Sequence, residues 1–103
     1  MKLPSLNIGN LIAEIPIIQG GMGVGVSRSG LASAVANEGC IGIISGVQIG
    51  FNEPDFETNS NAANIRGLQK EIKKARELSP KGIIGVNILT AMNSYKELVI
   101  TAV

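Results

Sequence analysis

A chain of 103 residues, 45% hydrophobic, 3% aromatic and with 13 glycines, has material for one small domain. Nine basic residues against eight acidic leave a net charge of +1, which removes the electrostatic case for nucleic acid or an anionic membrane as partner. The absence of histidine excludes Ser-His, Cys-His and His-metal sites built from this chain alone, and the single Cys40 excludes an internal disulfide.

Many Ile, Val, Ala and Gly with few aromatics fit α/β layers, in which β-branched residues fill strands and small residues let helices sit close. The opening Met1-Lys2-Leu3-Pro4-Ser5-Leu6-Asn7 lacks an unbroken apolar core of a leader, and no apolar run approaches the ~18 residues of a membrane span. A soluble, cytoplasmic protein is the expectation.

Ile8-Gly9-Asn10-Leu11 places a turn signal between two short apolar pieces and predicts a small hairpin. Ile15 to Gln19 reads as the first main strand, ending in Gly20, Gly21, Gly23 and Gly25 with Met22 among them. Ser27 or Ser29 can cap the next helix, whose expected apolar face is Leu31, Ala34 and Val35, with Gly39 as its stop. Ile41-Gly42-Ile43-Ile44-Ser45 is the second buried-type strand. The connection from Val47 to Asn61 exceeds the usual ~2–6 residues, and serves either as a rim over a site or as an inert excursion. Its Glu53, Asp55 and Glu57 read as a solvated acidic loop rather than a metal site.

Ile65, Leu68, Ile72, Ala75 and Leu78 recur at helical spacing, with Lys70, Glu71, Lys73, Lys74 and Glu77 as the expected solvated face, and Ser79-Pro80 ends the helix. Ile83 to Ile88 is the third strand; Ser94 and Glu97 form a capping-box pattern before a third helix from Tyr95. The order β-α-β-α-β-α with apolar strands implies a parallel sheet covered on its faces, at a spacing shared by (β/α)8 barrels and doubly wound sheets.

The glycine cluster satisfies neither common nucleotide fingerprint. A Gly-x-Gly-x-x-Gly starting at Gly21 ends on Val26, one starting at Gly23 ends on Arg28, and no Gly-Lys-Ser/Thr follows. It is either a flexible turn or a bare backbone surface for a cofactor, and the glycines exceed what a turn needs. Asn87, at the exit of the third strand, can both donate and accept, as the uracil-like edge of a flavin requires; a turn-forming Asn is the plain alternative. Gln19 and Ser45 stand at the same ends of the other strands, marking one rim as the active face. Cys40 reads as a small buried hydrophobe.

Ile15-Pro16-Ile17-Ile18-Gln19-Gly20-Gly21-Met22-Gly23-Val24, Leu31 to Gly39, Ile41 to Ile44 and Gly85-Val86-Asn87-Ile88 closely resemble the nitronate monooxygenases, from about residue 5 to the last residue. The Pro-Ile-x-Gln-Gly-Gly-Met opening is shared with their near relatives, the flavin-dependent enoyl-acyl-carrier-protein reductases. The resemblance implies an FMN-binding TIM (β/α)8 barrel, of which residues 1–103 would be an incomplete N-terminal segment of about three βα units. It places backbone at Gly21, Met22 and Gly23 against the flavin ring and the Asn87 amide in a bond to it. It implies oxidation of an alkyl nitronate by O2 to a carbonyl compound and nitrite. It assigns no catalytic residue here, since the family's usual histidine lies beyond the third unit, and the segment alone is expected to be inactive. Two alternatives remain: an enoyl-acyl-carrier-protein reductase on the same fold, and a non-catalytic truncated α/β fragment. Open first and third strands would favour self-association into homo-oligomers.

Overall fold

The computed structural model describes residues 3–103; Met1 and Lys2, the start of the stretch inspected for a leader, lie outside it. Seven elements follow one another: β1 (Leu6–Ile8), β2 (Leu11–Ala13), α1 (Ser29–Asn37), β3 (Ile41–Ser45), α2 (Ser60–Leu78), β4 (Ile83–Asn87) and α3 (Tyr95–Ala102). β1 and β2 are the predicted antiparallel hairpin, turned at Gly9, whose φ of +57° suits a residue without Cβ. β3 and β4 pair in parallel, with Ile43 opposite Gly85 and Ser45 opposite Asn87.

The expected first main strand is reduced to a single parallel bridge between Ile18 and Ile41. The Gln19 N–H donates to the Ile41 carbonyl at 3.0 Å and the Ile41 N–H to the Ile17 carbonyl at 2.9 Å, so the segment takes the strand's place beside β3 without extending the ladder.

All three helices meet one face of the β3–β4 sheet. Ala32 of α1, Leu68 and Ala75 of α2 and Leu98 of α3 share a core with Ile44, and Ile84 and Val86 pack against it. Complete burial of Ile44 and Leu68 contributes about 1.5–3 kcal/mol each. Of the alternate residues, which point to the other face, Ile41 and Ser45 are buried, Ile43 and Gly85 are partly exposed and Asn87 is exposed. The helices therefore cover one face of the sheet rather than both.

α1 buries Ala32, Ser33 and Ala36 instead of Leu31, Ala34 and Val35. The reason is a close approach: a Cβ on Gly42 would collide with the Ala32 carbonyl, and one on Gly82 would meet the Ala36 Cβ at 2.6 Å. Only the small-residue side of α1 fits against that backbone, which leaves Leu31 40% exposed. Neither predicted serine caps this helix. Arg28 is the N-cap residue, and the Ser29 N–H is satisfied from α2 by Glu71 Oε1 at 2.9 Å. Gly39, with φ of +90°, follows the helix as the predicted stop.

α2 is capped by Asn59, whose side chain accepts from the Ala62 N–H. Its charged side is not wholly a solvated face, because Glu71 serves α1 and Lys70 holds Glu53. At α3 the Ser94–Glu97 capping box does not form: Ser94 is buried and its side chain makes no capping bond.

Candidate functional site at the carboxyl ends of the parallel segments

The carboxyl ends of the Ile18 segment, β3 and β4 lie side by side, bringing Gly21, Ser45 and Asn87 to one rim. Continuing the parallel ladder past Gln19 would use the backbone of residues 19 and 21 against Ile43. The Gln19 side chain stands there instead. Its Oε1 accepts from the Ile43 N–H at 3.0 Å, and its Nε2 donates to the Ile43 carbonyl at 3.1 Å and to Ser27 Oγ at 3.1 Å.

Ser27 is the hub of the glycine loop and is 1% exposed. Its Oγ accepts from the Met22 N–H at 2.9 Å, its own N–H donates to the Met22 carbonyl at 2.9 Å, and its carbonyl accepts from the Ser45 N–H at 2.8 Å. The loop from Met22 to Ser27 is thereby closed on itself and pinned to the end of β3. Sequence reasoning weighed Ser27 only as a helix cap, because nothing local marks a serine that bonds across the loop.

The structure brings Gly21 and Asn87 into direct contact: a Cβ on Gly21 would stand 2.8 Å from the Asn87 Cβ and 3.2 Å from Ile43 Cγ2. Gly23 lies equally close to the next element, with 2.9 Å between a Cβ there and the Val47 Cβ. Met22 projects from the loop, 56% exposed. Asn87 is exposed, and its backbone carbonyl accepts from the Gly46 N–H at 2.8 Å. Its side-chain amide has no hydrogen-bond partner among the described residues. The rim therefore presents bare backbone at Gly21 and Gly23, a flexible thioether and an unpaired amide. That set can lie against a flat heteroaromatic ring and pair with its polar edge. Of the predicted rim, Gln19 and Ser45 instead hold the loop in place.

The long connection after β3 is a chain of turns anchored to α2. Asn64 Oδ1 accepts from the Gly50 N–H at 2.9 Å, and a Cβ on Gly67 would meet the Ile49 carbonyl at 2.8 Å. Glu53 accepts from Arg66 Nε at 3.0 Å and Lys70 Nζ at 2.8 Å, and Asp55 pairs with Arg66 Nη2. These hydrogen bonds hold the Glu53 carboxyl below its ordinary value, Lys70 contributing most and Arg66 next; Glu53 and Asp55 in turn raise Arg66. Glu53 and Asp55 are thus ion-paired rather than merely solvated, while Glu57 is exposed, as expected of a solvated loop.

Between this connection and the segment after β4 lies a cleft of about 390 Å³, lined in part by Val47, Phe56, Asn64, Leu89, Met92 and Ser94. Val47, which touches Gly23, joins this cleft to the rim. A cleft of about 340 Å³ beside Cys40 lies at the opposite ends of the strands. No group of three His, Cys, Asp or Glu side chains gathers at one point among the described residues, and no helix there is long and apolar enough to cross a membrane.

A comparison with curated proteins finds no match. The family model for nitronate monooxygenase matches residues 5–101, nearly the whole chain, and takes in the glycine loop, α1, α2, Asn87 and all of α3 but its last residue. The chain belongs to the nitronate monooxygenase family, whose members are flavin-dependent oxidoreductases.

Proposed function

We propose that this chain carries part of the flavin-ring site of an FMN-dependent enzyme that oxidises alkyl nitronates with O2 to a carbonyl compound and nitrite. The observation that carries the reading is the contact between Gly21 and Asn87, at 2.8 Å for a Cβ on the glycine, with the Asn87 amide left unpaired beside it. A substituted residue at 21 would strike Asn87 and Ile43 and push the Asn87 amide from its place, whereas glycine lets bare backbone and that amide lie side by side on the rim. The residues present thus fit the group. Gly21, Met22 and Gly23 would hold one face of the ring and Asn87 would bond its polar edge.

FMN, when bound, supplies the electron-accepting chemistry that no side chain of this chain can supply. The protein's part is binding and orientation. Ser27 and Ser45 fix the loop, so its backbone needs little reordering on binding. Val47, Leu89 and Met92 offer apolar surface in the adjoining cleft for the carbon skeleton of a small substrate. Proton transfer falls to a group other than histidine among these residues or to a group outside them.

The same reading makes the three βα units part of a (β/α)8 barrel. One-sided helix cover supports it, because a barrel sheet carries helices on its outside only, while a doubly wound sheet carries them on both faces. The exposed Ile17 and Ile18, at 52% and 57%, leave apolar surface on the first segment that further barrel units would cover.

The test, on the intact protein that contains these residues, is a flavin titration joined to a turnover assay. Expected are FMN uptake, at least tenfold weaker for Asn87→Ala, and nitrite release from an alkyl nitronate without a nicotinamide cofactor. NADH-dependent reduction of an enoyl thioester, with no nitrite, would move the assignment to the reductase; no flavin uptake at all would refute both.

A further inference from the structure

The carboxamide of Gln19 occupies the ladder position that belongs to backbone. With Ile18 paired to Ile41, a regular parallel ladder would next join the Gly21 N–H to the Ile43 carbonyl and the Ile43 N–H to the Gln19 carbonyl. Both Ile43 groups are taken by the Gln19 side chain, at 3.1 and 3.0 Å. The Gly21 N–H and the Gln19 carbonyl consequently have no partner among the described residues. The Gln19 Nε2 also reaches Ser27 Oγ at 3.1 Å, the atom that accepts the Met22 N–H at 2.9 Å.

We infer that Gln19 is a positioning residue: its side chain ends the first strand by substituting for its backbone, and so frees the Gly21 N–H and sets Met22 for a ligand. The ligand in question is the flavin of the proposed function, on which this inference rests for its consequence though not for its geometry. Ile43 is half-buried in a sheet, and its N–H and carbonyl must be satisfied. A glutamine side chain has one donor end and one acceptor end, the pair that a strand backbone would offer. Leucine would leave Ile43 unpaired. Asparagine, one methylene shorter, does not span the same gap. With the ladder satisfied by a side chain, the chain can turn across the strand end at Gly20, where a Cβ would meet nothing within 4 Å.

Two measurements on the intact protein separate the geometry from its consequence. The first is amide hydrogen exchange at single-residue resolution on flavin-free protein, wild type against Gln19→Ala. Exchange at Ile43 is expected to rise at least tenfold, with Leu68 unchanged as a reporter of the core. The second is FMN titration followed by the visible spectrum of the bound flavin. Gln19→Ala is expected to weaken FMN at least tenfold and to shift the bound spectrum, which a loss of general stability would not do.

Ser27→Ala is the second variant, should Gln19→Ala not fold. It leaves the Ile43 pair intact, and is expected to speed exchange at Met22 alone while weakening FMN. Unchanged Ile43 protection in Gln19→Ala overturns the inference. So does wild-type FMN affinity and spectrum in a variant whose ladder bond is lost. If wild-type protein takes up no FMN yet Ile43 exchange still rises in Gln19→Ala, the flavin reading falls and the strand-ending role of Gln19 stands.

Discussion

A methyl group at residue 21 reports on the closest contact of the rim. In Gly21→Ala the new Cβ would stand 2.8 Å from the Asn87 Cβ, 3.2 Å from Ile43 Cγ2 and 3.4 Å from Asn87 Cγ. Carbon atoms rest about 3.5–4.0 Å apart, so Asn87 must retreat by about 0.7 Å or more. Overpacking of this kind costs about 1–3 kcal/mol. Gly20→Ala is the control, since a Cβ there meets nothing within 4 Å; it should lie within about 0.5 kcal/mol of wild type or stabilise slightly by restricting the unfolded chain. Denaturant midpoints at unchanged slope measure both. Asn87→Gly removes the Cβ that is struck, and in that background Gly21→Ala should lose at least half of its cost. Such a coupling is what a direct clash produces in a double-mutant cycle. Flavin affinity should fall at least tenfold in Gly21→Ala and little in Gly20→Ala. Equal effects at residues 20 and 21, in stability and in flavin affinity, would refute the contact as the basis of the site.

Two further predictions concern the elements that support the rim. Glu53 has its carboxyl held low by Lys70 and Arg66, so its stabilising contribution is complete above the unfolded-state value of about 4.3 and is lost as pH falls through the lower folded value. Amide protection factors over residues 52–58 should fall across that acidic window, and Arg66→Ala should lower them at neutral pH and flatten their pH dependence. Glu71 accepts the Ser29 N–H at 2.9 Å and lies 3.5 Å from Arg28, so Glu71→Ala should cost about 0.5–2 kcal/mol, as loss of a helix cap does. Glu71→Gln keeps an acceptor and should cost less; equal denaturant midpoints for wild type and Glu71→Ala would exclude the capping role.

Much of the molecule is legible in residue order alone. The hairpin at Gly9, strands β3 and β4, the stop at Gly39 and the helix through Leu68 and Ala75 all follow from local rules of turn chemistry and periodicity. These rules act over a few residues, so a sequence states them directly. The same holds for the family resemblance, carried by contiguous runs such as Ile15 to Val24. Tertiary structure decided whatever depends on what stands opposite. Periodicity favours Leu31 and Val35 as the buried side of α1, but the helix packs so closely on Gly42 that only Ala32, Ser33 and Ala36 fit. Charge pattern marks Glu71 as solvated, yet it caps a helix 42 residues earlier in the chain. Gln19 reads as a polar residue on a rim, and only the register of Ile18 on Ile41 shows its side chain standing in for backbone. Such partners are distant in sequence and close in space, and a hydrogen bond or a close packing contact depends on the second distance alone.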